Sequence, residues 1–163
     1  MAIKNLLLLF IGSFLLNGNL HAQQTPVQDI PDFTFYKMNG QPFARKDLPK
    51  NKKIVIAFFD ITCEHCQHEL KAMSDHFREF KKAEFYLISL DEVAGIQGFM
   101  SKYAPKLNAK PNVTLLRDSN KEFIIKFLPI QYPAIYVYSP NWHIVKYFGQ
   151  NSKISEIVST VNN

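Results

Sequence analysis

Residues 53–66 have the sequence KIVIAFFDITCEHC, an apolar run followed closely by two cysteines. The continuous apolar run at 53–59 is typical of a central strand that is covered on both faces. Apolar residues then recur at steps of three and four between positions 70 and 80, which predicts a helix with one buried stripe. This stretch therefore predicts a buried strand that leads into a helix, with Cys63 and Cys66 at the junction.

The rest of the chain alternates strand and helix patterns. An Asn39-Gly40 pair between apolar segments predicts a β-hairpin within residues 33–43. Further strands are predicted at 84–90, 113–116, 134–138 and 143–148, and further helices at 93–103, 118–127 and 154–161. Strands that alternate with helices, followed by a hairpin and a last helix, predict an α/β sandwich.

The first 22 residues differ in composition from the rest. Lys4 precedes an apolar run from position 6 to 16, and Leu20-His21-Ala22 ends in a small residue, so the segment predicts a secretory signal peptide. The run is short for a membrane span. We expect residues 1–22 to be the signal and residues 23–163 to form one exported, periplasmic or otherwise extracytoplasmic domain without a membrane span. An uncleaved signal that tethers the domain to a membrane is the alternative.

The charge pattern gives little support to nucleic-acid binding. The formal net charge is +5, from 19 Lys and Arg against 14 Asp and Glu. The basic residues are scattered and do not form one stripe with interleaved aromatic side chains. A solvated basic surface is the simpler interpretation, and no nucleic-acid partner is expected.

The chain has two cysteines, and their spacing favours redox chemistry. A disulfide between Cys63 and Cys66 closes so short a loop that it restricts the unfolded chain little, which makes it a weak structural staple. In an exported protein, the other common interpretation is a redox-active pair, which this spacing favours. A helix N-terminus favours an anion, so Cys63 is predicted to be the attacking thiolate. Cys66, one turn later, is predicted to resolve the mixed disulfide.

Two residues between the cysteines are expected to tune the redox balance. A protonated His65 would add positive charge near the thiolate and make the disulfide more oxidising, whereas Glu64 would oppose this by repulsion. The sequence does not rank the two effects. Alternatively, both are simply solvated residues in the first helical turn.

Pro133 follows Tyr132 and immediately precedes a predicted strand. A proline cannot donate a hydrogen bond to a sheet, so the start of a strand suits it. A cis bond at Tyr132–Pro133 would place the main chain of Tyr132 beside the cysteines. There its N–H and C=O could bind an extended segment of a partner. Both residues are therefore candidate substrate-binding residues.

These residues together resemble the thioredoxin superfamily, specifically the exported thiol–disulfide oxidoreductases of the TlpA/ResA-like branch. The resemblance rests mainly on Ile30-Pro31-Asp32-Phe33-Thr34, Cys63-Glu64-His65-Cys66 and Tyr132-Pro133-Ala134. It implies a three-layer sandwich with a mixed central sheet, helices on both faces, an N-terminal β-hairpin and an extra strand–helix insertion at 113–127. It also implies that Cys63 is the nucleophile, Cys66 the resolving cysteine and Pro133 the cis-proline.

The resemblance further implies a reductase without a cofactor. Its partners would be protein thiols or disulfides and an upstream electron donor, either soluble or in the membrane. The chain departs from the family pattern in three places: Thr62 replaces an aromatic residue, Glu64-His65 replaces a pair that often contains Pro, and Ala57 replaces the buried acid of thioredoxin. Candidate proton acceptors for Cys66 are then Asp60, Glu64, His65 and water.

Three other functions fit the same fold. A peroxiredoxin needs a Thr three residues before its reactive cysteine, whereas Thr62 is adjacent to Cys63. A copper or zinc module could use both cysteines with His68 or His76, although His68 lies on a different part of the helix surface and His76 is nearly three turns from Cys66. A redox-silent binding module is the third alternative.

Overall fold

The structure is a computed structural model that describes residues 25–81 and 83–163. The predicted signal peptide at residues 1–22 lies outside the described residues. Within the described ranges, no helix combines the length and apolar character needed to cross a membrane.

Within these residues, seven strands form one mixed sheet. Their bounds are β1 Thr34–Lys37, β2 Pro42–Ala44, β3 Lys53–Phe58, β4 Ala83–Ser89, β5 Val113–Arg117, β6 Ala134–Tyr138 and β7 Ile144–Phe148. The order across the sheet is β2-β1-β5-β4-β3-β6-β7. Strand β3 lies at the centre of the α/β core, parallel to β4 and antiparallel to β6. The first two strands form the predicted hairpin, in which Gly40 adopts a φ of 81°.

In the described part of the chain, four α-helices cover this sheet. They are α1 Glu64–Asp75, α2 Val93–Tyr103, α3 Glu122–Phe127 and α4 Ile154–Asn162. Val55 and Ala57 of β3 pack with α1, α2 and α4, whereas Ile54 and Ile56 pack with α3 and the hairpin. Alternate residues of a strand point to opposite faces, so the sheet has helices on both sides. The predicted three-layer α/β sandwich is confirmed.

Two helices are shorter than predicted. Helix α1 ends at Asp75, and the backbone leaves the helical conformation at His76 (φ −97°, ψ 13°) before a short 3-10 turn at Phe77–Glu79. Phe77 still packs against Phe85, with ring centroids 5.6 Å apart. The apolar spacing therefore marked the buried face correctly but extended past the helix end.

Helix α3 begins at Glu122 rather than at the predicted residue 118. Asp118 is buried, and its carboxylate accepts hydrogen bonds from the main-chain N–H groups of Glu122 (3.0 Å) and Phe123 (2.7 Å). The N–H groups of a first helical turn lack partners within the helix. Asp118 therefore caps α3 from outside instead of belonging to it.

Candidate active site

Cys63 occupies the position immediately before α1. Its backbone is extended (φ −76°, ψ 113°), and its Sγ accepts a hydrogen bond from the main-chain N–H of Cys66 at 3.2 Å. The Cys63 N–H donates to the carbonyl of Asp60 at 3.2 Å, which holds the turn between β3 and the helix. The side chain is half-buried, so its sulfur lies at the helix N-terminus within reach of a partner.

Cys66 lies one turn further and is fully buried. Burial raises the pKa of its thiol, and the hydrogen bond with the Cys63 side chain raises it further; a main-chain hydrogen bond from Asp60 opposes both. Both thiols are free in this structure. The two sulfurs therefore differ, because Cys63 is accessible at a positive helix end, whereas Cys66 is buried and the pKa of its thiol is raised.

The loop that carries Cys63 is held by two carboxylates. Asp60 is exposed and accepts from both the N–H (2.7 Å) and the hydroxyl (2.6 Å) of Thr62. Asp91, after β4, accepts from the N–H of Ile61 at 3.1 Å and from the Ser89 hydroxyl at 2.7 Å. The Asp60 bonds are internal to the β3–α1 loop, and the Asp91 bond to Ile61 attaches that loop to the end of the neighbouring strand.

The predicted tuning residues Glu64 and His65 are both exposed. Ala57 is fully buried in the same core cluster as Cys66, so the thioredoxin acid position carries a methyl group here. Asp60, another candidate proton acceptor, is already bonded to Thr62.

Glu69 is a buried carboxylate that the sequence analysis missed. It lies one turn beyond Cys66 in α1 and is 8% exposed. Burial raises the pKa of its carboxyl, while hydrogen bonds from the main chain of Ser152 and Asn151 lower it. Its position three residues after Cys66, on the same side of the helix, could have indicated in the sequence that Glu69 is buried.

The Tyr132–Pro133 peptide bond is cis, in the conformation that the resemblance implies. Ala134, which follows it, pairs with Phe58 at the end of β3. The ring of Tyr132 lies 5.5 Å from that of Phe58. A pocket of about 120 Å³ lies here, lined by Phe58, Phe59, Asp60, Leu90, Asp91 and Tyr132. The structure thus brings Tyr132 and Pro133 to the loop that leads to Cys63.

The histidines considered as metal ligands do not join the cysteines in a cluster. Both His68 and His76 are exposed, and the His76 Nδ1 lies 2.6 Å from Glu79 Oε1. Among residues 25–81 and 83–163, no group of three or more His, Cys, Asp or Glu side chains is placed to hold a metal ion.

Several solved structures share this fold. A secreted disulfide oxidoreductase of Mycobacterium tuberculosis, homologous to DsbE of E. coli, is 23% identical, with a TM-score of 0.64 over 80% of this chain and 94% of that one. A putative protein disulfide isomerase from Bacteroides thetaiotaomicron is 16% identical, with a TM-score of 0.66 over 83% and 86%. Copper-bound ScoI of Arabidopsis thaliana is 17% identical, with a TM-score of 0.63 over 81% and 97%.

At these identities, the structural matches establish the fold alone. No curated protein gives a significant sequence match. The family model of the AhpC/TSA family matches residues 26–147, which includes the hairpin, both cysteines, the cis-proline and most of the sheet. The chain therefore belongs to the AhpC/TSA family and has a thioredoxin-like fold.

Proposed function

We propose that the protein is an exported thiol–disulfide oxidoreductase in which Cys63 attacks and Cys66 resolves. The observation that carries this proposal is the asymmetry of the pair: a half-buried Cys63 sulfur at the N-terminus of α1, with the fully buried Cys66 beneath it. A helix N-terminus stabilises a thiolate, and the accessible thiolate is the one that meets a substrate.

The reaction transfers two electrons to a protein disulfide. The Cys63 thiolate attacks one sulfur of the substrate disulfide, forming a mixed disulfide, and the second substrate sulfur leaves as a thiolate that takes a proton from water. Cys66 then gives its proton to water, and its thiolate attacks the Cys63 sulfur and expels the remaining substrate sulfur as a thiolate that takes a proton from water. This step closes the Cys63–Cys66 disulfide and releases the substrate as a dithiol. The enzyme is now oxidised, and a donor dithiol must reduce it before the next turnover.

We assign the reductase direction and the extracytoplasmic location as parts of this proposal. The predicted signal peptide and the described secretion of the M. tuberculosis relative support export. N-terminal sequencing of the mature protein should begin near Gln23. A reduction potential near that of thioredoxin supports a reductase, whereas a value near that of DsbA would assign an oxidant.

Trapping tests the roles of the two cysteines. Cys66→Ser should accumulate mixed disulfides through Cys63, because the resolving thiol is missing. Cys63→Ser should accumulate none under the same conditions. Equal trapping by both variants would refute the assignment.

Copper binding is the second candidate function, because copper-bound ScoI shares the fold. Two thiolates are soft ligands that suit Cu(I). Stoichiometric copper in the purified reduced protein, together with no reduction of insulin disulfides, would favour this function. A peroxidase is less favoured, because Thr62 is adjacent to Cys63 instead of three residues before it.

A further inference from the structure

The fold gathers basic residues that are scattered along the sequence at one end of the molecule. A groove of about 740 Å³ lies where β3 and β4 begin, and we call it the basic groove. Four basic side chains line it, those of Lys52, Arg78, Lys81 and Lys110. Among the described residues, Glu84 is the one acid in its lining. The side chains around the groove therefore carry an excess of positive charge.

Three of these positive charges are not compensated by the protein. Lys52 pairs with Glu84, so these two charges offset each other. Arg78, Lys81 and Lys110 are exposed, and none of them forms a salt bridge with a described residue. Like charges gathered in a groove raise the local positive potential and attract an anionic partner. The basic groove thus has the electrostatics of a surface that binds anions.

Aromatic rings lie beside these cations. Phe77 and Phe80 contribute to the lining of the basic groove. Trp142, the one tryptophan of the sequence, lies at the same end, where its indole N–H donates to the carbonyl of Pro49 at 3.0 Å. The Nζ of Lys50 lies 5.3 Å from the centre of the Trp142 ring. Basic side chains with tryptophan beside them are typical of surfaces that meet the headgroup layer of a membrane.

The basic groove and the cysteines lie at opposite ends of the sheet. Cys63 follows the last residue of β3, whereas the groove lies at its first residues, and a strand of this length spans about 20 Å. A protein that exchanges a disulfide with Cys63 therefore does not reach the groove with the same contact surface.

The N-terminal apolar run is joined to the domain near the basic end. The Ile30 N–H donates to the carbonyl of Trp142 at 3.1 Å, and the Ile144 N–H donates to the carbonyl of Gln28 at 2.7 Å. The apolar run at residues 6–16 ends about a dozen residues before Gln28, a distance that an extended chain covers in about 40 Å. A bilayer that holds this run during export is thus within reach of the basic groove.

We propose that the basic groove binds the headgroups of anionic phospholipids, so that the protein docks on a membrane surface with Cys63 facing away from it. The inference rests on the proposed extracytoplasmic location and not on the thiol chemistry. Guanidinium and ammonium groups suit phosphate oxygens. The tryptophan beside the groove and the nearby apolar run favour a lipid surface over an acidic polypeptide as the partner.

Sedimentation of the purified protein with phospholipid vesicles tests the proposal. Vesicles that contain phosphatidylglycerol should bind the protein, vesicles of phosphatidylcholine alone should not, and about 0.5 M salt should release it. The triple substitution Arg78→Gln, Lys81→Gln and Lys110→Gln should weaken binding about a hundredfold, since each basic side chain near an anionic surface contributes about fivefold. Equal binding to both kinds of vesicle would overturn the proposal.

The matched control removes the same number of charges outside the groove. Lys121→Gln, Lys126→Gln and Lys146→Gln together should change the dissociation constant less than about threefold, because distant charges are screened. Circular dichroism confirms that both triple variants are folded. Equal losses in the two variants would show that only the net charge matters, which would contradict a site in the groove.

Trp142 reports which end of the protein meets the membrane, because the sequence has no other tryptophan. A lipid that carries a nitroxide on its headgroup should quench the Trp142 fluorescence of the bound protein. Bound protein with unquenched fluorescence would show that another surface docks, and the proposal would be wrong.

Two further outcomes separate this proposal from others. If polyglutamate binds the parent protein but not the groove variant, and vesicles bind neither, the partner is an acidic polypeptide and the proposal is wrong. If vesicles bind as expected but Cys63 fails to react with the small disulfide dithiobis(nitrobenzoate), the proposed function fails and the docking surface stands.

Discussion

The Cys63 sulfur, which we propose as the nucleophile, also caps helix α1: it accepts a hydrogen bond from the main-chain N–H of Cys66 at 3.2 Å. One atom thus caps the helix and sits where the helix stabilises an anion. Reactivity and local stability are linked through this bond. A substitution at residue 63 should therefore change both.

Cys63→Ser and Cys63→Ala should differ in stability although neither can react. Serine is a favourable residue before a helix, whereas alanine cannot accept the Cys66 N–H bond. We expect the alanine variant to unfold with a free energy about 1 kcal/mol lower than the serine variant. Urea unfolding of the reduced proteins measures this difference. Equal stabilities would mean that the capping bond contributes nothing.

Glu69→Gln should change how stability depends on pH. Because burial raises the pKa of Glu69 in the folded protein, its protonated form is favoured by folding. The contribution of Glu69 to the free energy of unfolding is complete below the ordinary pKa of a glutamate, and it is lost as pH rises through the raised pKa of the folded protein. The Gln variant should therefore gain stability relative to the parent as pH increases from 4 to 7.

Unfolding free energies at several pH values test the effect of Glu69, with Glu64→Gln, an exposed glutamate of the same helix, as control. A Gln variant that instead loses relative stability as pH rises would show that the N–H groups of Asn151 and Ser152 dominate over burial.

Tyr136 and Tyr138 offer a matched pair of buried hydroxyls on β6. The Tyr136 hydroxyl donates to the carbonyl of Phe127 at 2.9 Å, whereas the buried Tyr138 hydroxyl has no partner within the described residues. Tyr136→Phe should lower the free energy of unfolding by about 1 kcal/mol, and Tyr138→Phe should leave it unchanged or raise it. Thermal and urea unfolding measure both. A larger loss from Tyr138→Phe would reveal a bound partner at that hydroxyl.

Asp118→Ala should destabilise the first turn of helix α3. The change removes a buried side chain that accepts hydrogen bonds from the main-chain N–H groups of Glu122 and Phe123. We expect a loss of about 2 kcal/mol in unfolding free energy and faster amide exchange at these two residues. Asp32→Ala, at an exposed pair with Arg45, should cost less than about 1 kcal/mol. Unchanged exchange at residues 122 and 123 would contradict the capping role.

Most of the core fold was predictable because its signals are local. The continuous apolar run of β3 and the apolar spacing after Cys66 predict a strand and a helix regardless of the rest of the chain. The bounds were less predictable. The apolar spacing continues through Phe77 and Phe80, although α1 ends at Asp75. Asp118 caps α3 without belonging to it. These two helix bounds depend on tertiary packing and on capping, which the local apolar pattern does not contain.

The candidate site was predictable in part for the same reason. The positions of Cys63 and Cys66 at a strand–helix junction follow from the neighbouring residues alone. The burial of Glu69 does not, because it depends on the loop before α4, about 80 residues further along the chain.

The sequence by itself therefore determined that two cysteines stand where a buried strand meets a helix, since periodicity and spacing are properties of a short segment. Only the tertiary structure decided what surrounds them. The antiparallel pairing of β6 with β3 aligns Ala134 with Phe58 and so brings Pro133 to the loop that leads to Cys63. Likewise, the sequence shows that α3 has apolar residues on more than one side. Only the burial of Phe123 and Phe127 in the core decides that Ile124 and Ile125 remain exposed.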